Sequence, residues 1–92
     1  MNRRQRNQFE NALTNARNCQ RRAAQWCDLI QNALARDSHD DARCYQDHAY
    51  QANLSAQIYV KMADRVKREA EMKNRAKRHA AIERAVYDQF VA

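Results

Sequence analysis

From Phe9 onward, small or apolar residues return at every third or fourth position: Phe9, Ala12, Ala16, Cys19, Ala23, Trp26, Ile30 and Ala33. The alternation of three and four is the seven-residue repeat of a helix that presents one stripe to a partner. A second series follows with the same alternation: Ala42, Tyr45, Ala49, Ala52, Ala56, Tyr59, Ala63, Val66 and Ala70. Each series predicts a long helix. Between them lies "ARDSHDDA" (35–42). Ser38 has the chemistry of an N-cap, and Asp41 stands three residues on, as the acid of a capping box does. Asp40 and Asp41 fall in the first turn of the second helix, where carboxylates suit the dipole, and Arg36 closes the first helix, where a cation does. The pattern predicts a helix over about 4–36, a turn at 37–40 and a helix over about 39–72.

Folding the chain at that turn pairs the two series antiparallel. Ala33 then meets Ala42, Ile30 meets Tyr45, Trp26 meets Ala49 and Ala23 meets Ala52. Cys19 meets Ala56, Ala16 meets Tyr59, Ala12 meets Ala63 and Phe9 meets Val66. Trp26 and Tyr59 each oppose an alanine, so large residues fit against small ones. A hairpin of this kind buries little area, and a further element is needed to cover it. Leu54, Ile58 and Met62 form a second stripe off the seam; Ile82, Val86 and Phe90 form another near the C-terminus. A turn near Met72–Arg75 would bring Met62 to Ile82, Ile58 to Val86 and Leu54 to Phe90. The expected architecture is therefore an all-α antiparallel helical hairpin in one domain (1–92), completed by a short third helix over about 75–90. One uninterrupted second helix, paired in a homodimer, is the alternative.

Composition agrees with the helical reading. The 92 residues include no Gly and no Pro, the residues on which tight turns and phosphate-cradling loops depend. No apolar run approaches the length of a membrane span. "MNRRQRNQFE" has no apolar segment behind its charges, so it is not a signal peptide. Three cysteines, with Cys19 and Cys27 too far apart along one helix to bridge, indicate reduced thiols and a cytoplasmic protein.

Candidate chemistry concentrates in "ARDSHDDARCYQDHAY" (35–50). Asp41, Cys44 and His48 share a helical face, and Asp37 or His39 stands near enough to join a metal site. A zinc signature pairs close-set Cys or His from two places, and the chain has no second pair. Helix capping explains the acids, and no metal or other cofactor is expected. His39, His48 and His79 are the available bases, and Cys19, Cys27 and Cys44 the available nucleophiles. An alanine-lined hairpin offers them neither an oxyanion hole nor a pocket, so an enzyme is not expected.

Charge carries more. The net charge is +6 and the pI is about 9.7. Residues 1–22 hold six Arg against Glu10, whereas residues 37–48 hold Arg43 against Asp37, Asp40, Asp41 and Asp47. Residues 61–84 hold nine Lys or Arg against four acids. Antiparallel pairing gathers Arg3, Arg4 and Arg6 beside the basic run that contains Lys67, Arg68, Lys73, Arg75, Lys77 and Arg78, leaving the acids at the turn. A rod with one cationic end is expected to dock on a nucleic-acid backbone, on a nucleoprotein complex or on an acidic protein surface. Asn7, Asn11, Asn18 and Gln25 on the outer faces are expected to add hydrogen bonds. The alternative is a protein–protein module, or a homodimer, joined through Leu54, Ile58 and Met62.

"NRRQRNQ" and "RNCQRRAAQW", within the first 26 residues, resemble the arginine-rich helical RNA-binding motif of phage antitermination proteins. The sequence departs from that motif where Arg17, Arg21 and Arg22 are interrupted and where Trp26 belongs to the seam, so no binding residue is carried over. In its small, single-domain, helical and motif-free character the chain also resembles phage-encoded inhibitors of host defence, of the anti-CRISPR type. That resemblance implies inhibition by occupying a surface on a nucleoprotein, where a cationic end competes for guide RNA or for the path of the target strand.

Overall fold

Asn2 starts the first helix. Its Oδ1 accepts from the Gln5 backbone N–H at 2.8 Å, and the Gln5 side chain accepts in return from the Asn2 N–H at 3.2 Å. This reciprocal capping box satisfies two donors that a helix N-terminus otherwise leaves open. The helix it begins, α1, spans Arg3–Ala35. At the far end Arg36 is the C-cap, and its Nε donates to the Asn32 carbonyl at 3.3 Å. Ser38 N–H donates to Ala33 O at 2.8 Å and Asp37 N–H to Leu34 O at 3.1 Å, the paired bonds of a Schellman stop. That stop needs a left-handed residue, and Asp37 supplies it with φ 57°. Ser38 then opens α2 (His39–Val91): its carbonyl accepts from Ala42 N–H at 3.0 Å, and its hydroxyl donates to the Asp41 carboxylate at 2.8 Å.

The computed structural model describes residues 1–91, and these two helices are its elements. They pack side by side and antiparallel. Trp26 stacks on His48 with ring centroids 4.5 Å apart and tilts against Tyr45 at 5.6 Å. Further along, Gln8, Asn11, Ala12 and Asn15 border one groove with Tyr59, Met62 and Val66. Near the open end Met1, Asn2 and Gln5 share a groove with Ala70, Lys73 and Asn74.

The two predicted seams are the core. Ala12, Ala16, Cys19, Ala23 and Ala33 are buried on α1, and Ala42, Ala49, Ala56, Ala63 and Ala70 on α2. The bulky seam members Phe9, Trp26, Ile30, Tyr45, Tyr59 and Val66 are half-buried. Two helices can enclose a methyl group completely but cover only one side of a ring. Close approach of the backbones, near the short end of the about 8–10 Å range for helix axes, follows from alanine at the contact.

The chain departs from expectation after Ala70. No turn forms at Met72–Arg75 and no third helix folds back over 75–90; α2 continues for 53 residues to Val91. Met62 and Ile82, Ile58 and Val86, and Leu54 and Phe90 therefore lie on one helix and do not meet. The physical reason is local. "REAEMKNRAKRHAAIERA" is made of strong helix formers, and Asn74 within it costs at most about 0.7 kcal/mol relative to alanine. Folding back would break backbone hydrogen bonds with no Gly or Pro to set the turn. The fold is thus a 33-residue helix paired along part of a 53-residue helix, 83 Å long and 18 Å across.

The one left-handed residue gives a direct test. Asp37 occupies a conformation that costs a non-glycine residue on the order of 1 kcal/mol, and it sets a carboxylate beside the C-terminal carbonyls of α1, where negative charge is unfavourable. Asp37→Gly is expected to stabilise the hairpin by about 1 kcal/mol, raising Tm by roughly 4–8 °C, as followed by circular dichroism.

Candidate nucleic-acid interface

The cationic residues are delivered by two elements. Arg3, Arg4 and Arg6 occupy the first turns of α1, and all three are exposed. Because α1 enters beside Ala70, Lys73, Asn74 and Lys77, that turn lies against the basic run of α2. Lys73 and Lys77 take the next positions of the α2 seam, beside Met1 and Asn2 where α1 begins, and so line the step between paired and unpaired helix. Lys67 and Arg68 stand between one and two turns earlier, and Arg68 borders a shallow groove of mixed charge with Lys61, Asp64, Arg65, Glu69 and Met72. Arg75 and Arg78 lie on the uncovered part of α2 and are exposed.

The convergence of the two segments thus matches the pairing, but its position on the rod differs from expectation. Because α2 runs on beyond Arg78 as far as Val91, the cations form a band around the step and not the extremity of the molecule. Lys61 and Arg65 line the same groove as Arg68. Their signal is present in the density of Lys and Arg over 61–84.

The cations of the band have no carboxylate partner among the described residues. Among the described residues the one side-chain ion pair is His79 Nδ1 with Glu83 Oε1 at 3.2 Å. None of Arg3, Arg4, Arg6, Lys67, Arg68, Lys73, Arg75, Lys77 or Arg78 is paired with a carboxylate there. The acids Asp37, Asp40, Asp41 and Asp47 sit at the opposite, turn end of the hairpin.

Three of the other candidates have structural partners. Asp41 bonds Ser38, and His48 packs on Trp26. Asp37 forms the helix stop. Among the described residues no group of three or more His, Cys, Asp or Glu gathers to hold a metal ion. Cys19 is buried in the seam, and Cys27 and Cys44 are exposed free thiols. No described helix is long and apolar enough to cross a membrane. The stacking of His48 on Trp26 is not contained in the seam pairing, which sets Ala49 opposite Trp26; an indole is wide enough to cover the neighbouring residue as well. No protein-family model, curated protein or solved structure matches the chain.

Proposed function

We propose that this protein is a non-enzymatic binding module that docks on a nucleic-acid backbone, free or within a nucleoprotein complex, through the cationic band at the α1–α2 step. The observation that carries the reading is the concentration at one place of cations from two helices, none of them ion-paired among the described residues and in excess over the acids Asp64, Glu69 and Glu71 that stand among them, while Asp37, Asp40, Asp41 and Asp47 cluster at the turn end of the same rod. Each Lys or Arg that replaces a condensed counterion on a phosphate contributes affinity by counterion release. Exposed cations that have no carboxylate to give up meet that requirement without rearrangement. Helix-borne arginines also suit the grooves of folded RNA, which are read by shape and phosphate contacts. On a guide-loaded effector the same band would contest the path of RNA or target strand, and the protein would then act as an inhibitor by occupancy.

Binding to a mixed-sequence duplex and to a structured RNA, measured over a salt series, tests this. The logarithm of affinity is expected to fall linearly with the logarithm of salt, with a slope of roughly −4 to −8 if about half to all of the nine cations contact phosphate. Affinity that stays flat between low and moderate salt, or that is undetectable at low salt, would refute the proposal.

A further inference from the structure

From Glu71 to Val91 every residue of α2 is exposed. This stretch nevertheless has two faces. Met72, Ala76, His79, Glu83, Val86 and Phe90 follow one another at steps of four and three. At 3.6 residues per turn they lie within about 40° of Met72 around the helix. Ile82 flanks this stripe on one side and Tyr87 on the other. Met72 is 68 %, Ile82 64 % and Phe90 85 % exposed. The stripe points away from α1, because Ala63 and Ala70, which α1 covers, project about 160–180° from Met72.

We propose that the tail stripe is closed by the same stripe of a second copy, running antiparallel about a two-fold axis level with Ala81. What points to a second copy is that the stripe is complementary to itself when reversed. Turned end for end about that axis, Met72 meets the partner's Phe90, Ala76 meets the partner's Val86, and His79 meets the partner's Glu83. The last match is one of hydrogen bonding: His79 and Glu83 already bond within the chain at 3.2 Å, and the reversed pairing sets two such pairs side by side. By symmetry every contact occurs twice. Lys73, Lys77 and Arg84 project about 100–140° from the stripe and stay in water, while Arg75 flanks it and can lay its methylenes over the apolar surface.

The area is of the right order. Phe90 and Tyr87 carry about 150–250 Å² each. With Met72, Ile82 and Val86, each copy approaches the roughly 800 Å² per partner of a standard interface. A dissociation constant in the micromolar range is expected. Each tail carries Lys73, Arg75, Lys77, Arg78 and Arg84 against Glu71, Glu83 and Asp88, a net positive charge, so the two copies repel at long range. Added salt screens that repulsion and tightens the dimer, the opposite of its effect on polyanion binding. The inference is therefore independent of the nucleic-acid reading.

Two measurements test it, both without nucleic acid. Sedimentation equilibrium of the unaltered chain is expected to show a monomer–dimer equilibrium that strengthens with salt, and Val86→Asp is expected to weaken it at least tenfold without changing thermal unfolding of the hairpin. Separately, Met72→Cys and Phe90→Cys are introduced together in a chain carrying Cys19→Ala, Cys27→Ser and Cys44→Ser. Eighteen residues apart on a straight helix, the two thiols are about 27 Å from each other, beyond disulfide reach. Oxidation is expected to give a covalent dimer whose peptide map shows residue 72 linked to residue 90. A monomer at every concentration, a dimer indifferent to Val86→Asp, links of 72 to 72 and 90 to 90, or a link closed within one chain would each overturn the proposal.

Discussion

Replacing Ala63 with leucine is expected to destabilise the hairpin by about 1–3 kcal/mol, a fall of roughly 4–24 °C in Tm. Ala63 is 1 % exposed and lies where α2 meets Ala12 of α1, itself 6 % exposed. Neither helix has a larger gap to offer there, because the seam reaches its density through alanine on both sides. Three added carbon atoms must push the axes apart or leave their rotamer wells. Separation would also loosen Ala56 and Ala70, one heptad to either side, so the cost extends beyond the site. Ala81→Leu is the control. It lies on the uncovered tail, facing away from the stripe, and should change stability by no more than about 0.5 kcal/mol. Thermal unfolding of both variants, followed by circular dichroism, checks the pair. Equal effects at the two positions would mean that the seam is not the packed contact.

The second large effect concerns binding. Reversing Lys73, Arg75, Lys77 and Arg78 to glutamate together takes the net charge from +6 to −2, a change of eight. All four side chains are exposed, so helix content is expected to hold. Affinity for nucleic acid should fall a hundredfold or more near 0.1 M salt, and the salt slope should flatten by about 3–4 as the corresponding phosphate contacts are lost. Arg43→Glu, placed among the acids of the turn end, should leave affinity within about twofold. The two variants together separate a local band from a general effect of net charge, which acts at long range on any polyanion. A proportional loss from Arg43→Glu would favour net charge alone.

Much of the fold was legible in residue spacing. The alternation of three and four from Phe9 to Ala33 and from Ala42 to Ala70 identified the buried alanines, and the turn chemistry of Arg36, Ser38 and Asp41 placed the reversal within a residue or two. The ambiguous signal was Lys73 and Lys77. A break in a heptad seam marks where the neighbouring helix stops, because only there does an apolar residue cease to be useful. It says nothing about the backbone, which follows helix propensity and the lack of Gly and Pro straight through Asn74. The matching stripes at Leu54–Ile58–Met62 and Ile82–Val86–Phe90 are compatible with a fold-back, but two apolar faces on one chain are satisfied equally well by another molecule. The Asn2–Gln5 capping box has its signal in "NRRQ", where the two arginines between the capping residues also read as part of a basic run. The cationic residues were legible as a cluster, whereas their place at a step, with helix continuing beyond, depended on where α1 ends and α2 does not.

The reversal between Ala35 and His39 has a consequence for how the chain folds. Ala33 and Ala42 are nine residues apart, so their contact closes a very small loop, and each contact further from the bend is reached after its predecessor is made. The entropy of closure rises only slowly with loop length. Ordering from the bend outward therefore avoids bringing Phe9 and Val66 together across an unstructured chain. The hairpin should zip from a nucleus at Asp37, with the capped start of α1 the last part to lock.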